Sequence, residues 1–439
     1  VSKQQHFGWF LARGFGPHGW GHPYLDWNYR WTEPALYQQS VRDLEQAGFD
    51  LLIIEDAPSM GNSATIDLRI RQAFGGPKHD PLMLAPYLFD ATSNIGIAPT
   101  VNPAAYLPYT AARQFATLQH LSGNRLGLNV VTDTGSARHF GDQPPLPHDA
   151  AYDRAEEWLS GIRRLWHSWG EGGLVADPAQ GRYADGSKLD AFQQRGEYFS
   201  FDGPLNAIPF AAGDPVIVSP GGSGRGLGFA GANSDVQLAL APLDAASIRE
   251  YRARIHAAAS ERGRDPRDIN ILFAIQPVLV SSPEEADRLV AESANPDDAS
   301  ILNIAERQSS DLETDLTVLD LDRPLDPTVF GDHVSQGSIK RLTGKFDPVT
   351  TPLKTLLGAQ ARLGRISDRT GFVGTAGEFA DLIEDLGDSA DNDGILLWGD
   401  LHPVTVHRIL DELVPILRRR GILRTEFGGG GLRANLRDF

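Results

Sequence analysis

The chain has 439 residues, a formal net charge of −17 and no cysteine. The missing thiols exclude disulfides, thiolate metal sites and cysteine nucleophiles, and the negative charge makes nucleic acid and anionic membrane surfaces poor partners. No apolar run reaches the roughly 18 residues of a membrane span, and "VSKQQHFGWF" lacks the parts of a secretory signal, so a cytoplasmic location is expected.

Short, nearly continuous apolar runs alternate with amphipathic stretches along the chain, as parallel strands covered on both sides require. The first strand is predicted at 6–12, followed by a Gly/His/Trp-rich loop, "RGFGPHGWGHPYLDW". His18 and His22 stand four apart there, but the glycines and Pro23 forbid the helix that would aim both at one metal; no metal is expected. A helix at 33–47 leads to a strand at 49–55, ending in Glu55 and Asp56. Adjacent on a strand end, those carboxylates point in opposite directions and make a poor glycosidase pair.

Residues 57–80 form a first insertion. Then come a helix at 81–92, a strand at 95–101, a helix at 109–121, a strand at 126–132 and a helix at 150–168. Residues 172–206 form a second insertion, in which "RGEYFSFDGPLN" suggests a hairpin turning at Asp202-Gly203. Strands follow at 215–219, 236–241 and 269–280, with helices at 244–262 and 283–292. Residues 294–347, polar and rich in Asp and Pro, read as a third insertion or a lid. A strand at 394–398, a helix at 403–420 and a glycine-rich tail, 421–439, complete the chain. The tail is expected to cross the surface or meet a neighbouring subunit. Eight strands alternating with helices favour a single domain over 1–439, a closed (β/α)8 TIM barrel with insertions, over an open doubly wound sheet.

Function in such a barrel collects at the carboxyl ends of its strands. Those ends present Glu55-Asp56, 100–102, 129–133 and Ser219, mostly neutral hydrogen-bonding groups. "GLGFAG" (226–231), with Asp244 beyond it, fits the dinucleotide pattern G-x-G-x-x-G. That pattern needs its first glycine at the strand end, whereas the strand here ends near Ser219. The segment at the strand end is "PGGSGRG", whose backbone N–H groups around Gly222 and whose Ser223 hydroxyl make a cradle for one phosphate. Gly226, Gly228 and Gly231 then lie on the following helix, where glycine costs about 1 kcal/mol relative to alanine, so they need a packing reason.

Several blocks, in order, resemble one family. "RQFATLQHLSGNRLGLNVVTD" (113–133), "ARHFG" (137–141), "HDAAYDRAEEWLSGIRRLWHSW" (148–169) and "RGEYFSFDGPLN" (195–206) are followed by "FVGTAGEFAD" (372–381) and "VPILRRRGILRTEF" (414–427). They are similar to the bacterial-luciferase-like flavin monooxygenases, in the branch of nitrilotriacetate/EDTA and dibenzothiophene sulfone monooxygenases. The resemblance implies the oxygenase half of a two-component system. FMNH2 comes from a separate NAD(P)H-dependent flavin reductase, the sole user of NAD(P)H, and reacts with O2 to a peroxyflavin that oxygenates a small organic substrate. It also implies a homodimer or homotetramer.

Carried over by position, Asp56, Asn102 and Asn129 look like flavin-site residues on the second, third and fourth strands. His148 and Tyr152 look like the pair closing over the ribityl-phosphate end, with Gly222 and Ser223 at the phosphate. Phe10, His18, Trp20 and His22 fall where relatives place substrate-pocket residues, and His139 flanks the loop after the fourth strand. One of His18 and His22, or Asn129, would assist the chemistry. Relatives commonly read Q-A-G-A-S-x-x-G where this chain has "SPGGSGRG", which predicts a looser backbone around Ser223. Leu128 replaces a frequent Trp before Asn129. A deazaflavin-dependent reductase on the same barrel, or a non-catalytic flavin-binding paralogue, are the other readings.

Overall fold

The computed structural model describes residues 2–12, 30–61, 63, 65–71, 73, 76–141, 144–312, 314–330, 334, 336–366 and 371–439. The strands are β1 (His6–Leu11), β2 (Leu51–Ile54), β3 (Gly96–Val101), β4 (Gly127–Val130), β5 (Leu174–Asp177), β6 (Arg182–Ala184), β7 (Gln193–Arg195), β8 (Ser200–Asp202), β9 (Val216–Ser219), β10 (Val236–Ala239), β11 (Asn270–Leu279), β12 (Gly371–Gly374) and β13 (Gly394–Gly399). β1, β2, β3, β4, β9, β10, β11 and β13 pair in parallel in that order, and β13 returns to β1. This is the closed eight-stranded barrel read from the sequence, and all eight expected strands belong to it. β12 was not anticipated; it pairs with the outer half of β11, Gln276 to Leu279.

Alternation sorts the strand residues. Leu51, Ile53, Ala98, Val216, Val218, Val236, Leu238, Leu272, Ala274 and Leu396 fill the interior. Leu52, Ile54, Ile97, Leu128 and Ile217 pack outward under the helices. Each strand therefore buries both faces, the reason its sequence is a continuous apolar run.

The tail differs from expectation. Gly431, at φ 88°, opens the short helix Leu432–Asn435, and Leu432 enters the barrel floor with no exposed surface. It fits because position 96 is glycine: a Cβ there would lie 2.5 Å from Leu432 Cδ1. Arg424 anchors the segment through Asp50 at 2.9 Å and Asp438 at 3.0 Å, and Phe439 stacks on His6 at 4.2 Å. Polar composition concealed four apolar residues of the tail that belong to the core, Ile422 and Leu423 in the main cluster and Leu432 and Leu436 in the barrel interior.

The insertions hold regular structure. Within the polar segment 294–347, helices Asp298–Leu312 and Gln336–Thr343, with Leu353–Ala361 beyond, enclose their own core. Helix Asp298–Leu312 packs on helix Ile66–Arg71 of the first insertion, where Arg71 reaches Glu306 at 3.2 Å. Both insertions follow carboxyl ends of barrel strands, β2 and β11. The hairpin turn falls at 196–199, not at Asp202-Gly203: β7 pairs with β8, and Glu157 accepts the N–H groups of Glu197, Tyr198 and Phe199. The helix expected at 403–420 is two, Pro403–Glu412 and Val414–Arg419, because Pro415 has no N–H to continue the ladder.

Candidate active site

At the carboxyl end of β9 the chain turns from Ser219 into helix Gly224–Asn233, with Ser223 as its N-cap. Ser223 Oγ accepts the Gly226 N–H at 3.0 Å, the bond that fixes this helix start. His148, on helix His148–Trp166, brings Nε2 to 3.4 Å from Ser223 Oγ. Tyr152, one turn later, has the Thr132 and Ser223 side chains near its phenol. Burial raises the Tyr152 pKa and the neighbouring Thr132, Ser223 and Arg225 partly offset it, so the phenol is a neutral donor and acceptor. A Cβ at Gly221 or Gly226 would lie 2.8 Å from Tyr152 Oη, while one at Gly222 would meet no atom of the described residues within 4 Å. His148, Tyr152, Gly222 and Ser223 thus lie together at one turn. Arg225, on the same helix, is spent on Asp153 at 2.6 Å and Glu156 at 2.9 Å, clamping two helices together.

The dinucleotide pattern is absorbed by structure. Gly226 accommodates Tyr152, and a Cβ at Gly231 would stand 2.5 Å from the Ala258 backbone. Nothing in the structure explains Gly228. Asp244 caps helix Ala245–Glu261 by accepting the Ser247 N–H.

On the neighbouring strand β4, in register with Val218 of β9, Asn129 Nδ2 donates to Thr100 Oγ1 at 2.8 Å, and Thr100 Oγ1 donates to Ile54 O at 2.7 Å. That chain fixes the amide and leaves Asn129 Oδ1 buried with no partner among the described residues. A buried acceptor of this kind is costly unless a ligand donor meets it. Phe10 and Trp398, in register across β1 and β13, cover the apolar interior at the same level. The Trp398 Nε1 is likewise buried and unpartnered among the described residues. Trp398 escaped the sequence reading, although Gly394, Leu396 and Trp398 follow the inward alternation.

Two expected residues stand apart. Asn102 spends its amide on Asp133 O at 2.8 Å and on the Ala104 N–H at 3.0 Å, closing its own loop. The interior hydroxyl of that strand is Thr100. His139 lies exposed on the one-turn helix Arg138–Phe140. His18, Trp20 and His22 lie outside the described residues.

Asp56 follows the end of β2 in a cluster with Glu55, Lys78, Asp80 and Tyr106. Lys78 Nζ lies 2.7 Å from Glu55 Oε2, both side chains nearly enclosed. Burial pushes Asp56 up to about 7; Lys78 and the Ala57 N–H oppose this, and Glu55 and Asp80 add to it. Its carboxyl can therefore hold or release a proton near neutrality. Because the native pKa exceeds the unfolded one, this stability contribution is complete below pH 3.8 and is lost as pH rises through about 7. Asp56→Asn should match the parent in urea unfolding near pH 4. It should gain stability at about 1.4 kcal/mol per pH unit across the window and level off above it. A difference independent of pH would refute this.

Among the described residues no cluster of His, Asp and Glu could hold a metal ion, and no helix is long and apolar enough to cross a membrane. The family model for luciferase-like monooxygenases matches residues 6–392. The dibenzothiophene-sulfone monooxygenase of Rhodococcus erythropolis (strain XP) is 31% identical, the match covering 99% of this chain and 97% of the relative. Nitrilotriacetate monooxygenase component A of Aminobacter aminovorans is 28% identical over 99% and 97%. A crystal structure of riboflavin lyase with modified FMN and riboflavin superposes with a TM-score of 0.82, at 27% identity over 99% and 96% of the two chains.

Proposed function

The chain belongs to the luciferase-like monooxygenase family, and from that premise we propose that it is the oxygenase component of a two-component, FMNH2-dependent system. The carrying observation is the paired arrangement at the barrel mouth. Ser223, His148 and Tyr152 gather at the turn that follows β9, and the orphaned Asn129 Oδ1 is buried on the adjacent strand β4. These residues fit a flavin with its phosphate at the turn and its ring toward Asn129. When bound, reduced flavin supplies two electrons to O2, so that one oxygen atom enters the substrate and the other leaves as water.

The chain's own residues then have distinct tasks. Ser223 and the Gly222 N–H hold the phosphate, with His148 and Tyr152 closing over it. The bond from Asn129 to Thr100 orients an acceptor for a ring N–H. Phe10 and Trp398 line an apolar floor that keeps water from the reacting centre. The Asp56 carboxyl stands ready to exchange a proton at the rim, and His18 or His22 would add a second proton-handling group. The aromatic lining favours a small apolar substrate, organosulfur or amine, and the insertions at 57–80 and 294–347 would close over it. NAD(P)H belongs to the separate reductase, and a homodimer or homotetramer is the working assembly. The readings as a deazaflavin reductase or a non-catalytic paralogue have less support, because full-length relatives are named monooxygenases.

The test supplies the chain with FMN, a flavin reductase, NADH and 18O2 over a panel including dibenzothiophene sulfone and nitrilotriacetate. One 18O per product, dependent on the reductase, is expected. Flavin binding without an oxygenated product across such a panel would favour the non-catalytic reading.

A further inference from the structure

Beneath the phosphate turn lies a buried amide that the reading above does not use. Gln237, on β10, has no exposed surface. Its neighbours Val236 and Leu238 face the barrel interior, so Gln237 points outward, under helices Gly224–Asn233 and Ala245–Glu261. Its Oε1 accepts from Ser219 Oγ at 2.9 Å. Its Nε2 donates to Gly221 O at 2.9 Å, Leu238 O at 3.2 Å and Tyr251 Oη at 3.1 Å. Ser219 Oγ also meets Ser234 Oγ at 2.7 Å. One side chain thus ties the end of β9, the phosphate turn, β10 and a helix into one network.

The bond to Gly221 O has a geometric consequence. In a trans peptide the carbonyl and the following N–H lie in one plane and point in opposite directions. A Gly221 carbonyl drawn inward toward Gln237 therefore aims the Gly222 N–H outward. No atom of the described residues lies within 4 Å of a Cβ built on Gly222, so the turn leaves room for a ligand beside that residue. Pro220 offers no N–H, and Gly221 and Gly222 have no side chain to hold the turn, so its orientation comes from beneath.

We infer that Gln237 is a positioning residue for phosphate recognition, presetting the Ser219–Ser223 turn so that the Gly222 N–H and the Ser223 hydroxyl face the ligand and the site selects FMN over riboflavin. This rests on the flavin reading above. The looser backbone expected from "SPGGSGRG" is thereby restrained by an amide from the next strand.

The experiment titrates dithionite-reduced FMN and riboflavin into the full chain under anaerobic conditions, followed by tryptophan fluorescence. Gln237→Met keeps the length and removes the amide. Its FMN affinity should fall about tenfold, the scale of one well-placed polar contact, while riboflavin affinity moves less than about twofold. Hydrogen exchange should quicken at the amides of residues 221–224 and stay unchanged in the barrel strands. If Gln237→Met does not fold, Gln237→Glu, which can still accept from Ser219 but not donate to Gly221, carries the same comparison. An equal fall for both flavins marks a merely structural residue and overturns the inference, as does no fall. A parent chain binding both flavins equally would instead overturn the phosphate reading, and this inference with it.

Discussion

Replacing Ser223 by aspartate should weaken FMN binding by at least about 100-fold and leave folding stability and riboflavin binding nearly unchanged. Aspartate is as good an N-cap as serine, so the bond from the Gly226 N–H survives and helix Gly224–Asn233 starts where it did. What changes is charge. A carboxylate about 4 Å from a phosphate costs about 4 kcal/mol per charge pair at an effective dielectric near 20, and the hydroxyl donor is lost as well. No described cation relieves that repulsion cheaply, because Arg225 is committed to Asp153 and Glu156. Riboflavin carries no phosphate and serves as the internal control. Unchanged FMN affinity in the variant would remove the phosphate from this turn.

The second large effect concerns the floor of the barrel. Leu432→Ala should cost about 3 kcal/mol in denaturant unfolding, the usual penalty for a fully buried leucine, with flavin affinity within about twofold of the parent. Its partner site gives a sharper check. Gly96→Ala places a Cβ against Leu432 Cδ1 and should cost about 1–3 kcal/mol by overpacking. In the Leu432→Ala background that clash disappears, so the double variant should be less destabilised than the sum of the singles. Strict additivity would mean that the two positions do not touch.

The barrel was legible because eight strands bury both faces and so appear as apolar runs no longer than a strand. β12 was not, since "GFVG" offers only two apolar residues. Helix Ala376–Ala390 was passed over although its capping box, Thr375 with Glu378, and its inward run Phe379, Ile383, Leu386 and Ala390 stand plainly in the sequence. The same holds for Ile301, Ala305 and Leu312 in the third insertion, a helical stripe hidden by polar flanks. At the candidate site, the turn after β9 could be placed because a serine cap, a glycine pair and a His-Tyr spacing of one helical turn are local features. Alternation puts Thr100 and Asn102 on one face, and only their hydrogen bonds rank them: Thr100 meets Asn129, whereas Asn102 closes its own loop. Lys78 as partner of Glu55, and Gln237 beneath the turn, join distant segments, and no local pattern announces such pairings.

The placement of Leu432 also sets an order of events during synthesis. β13 can pair with β1 and close the ring of strands while the segment carrying Leu432 and Leu436 is still inside the ribosome. Until the residues beyond Gly399 are free to fold, the ring of strands has walls and no floor, because Leu432 and Leu436 are missing from its lower interior. Completion of the core therefore coincides with release of the chain segment beyond the last strand.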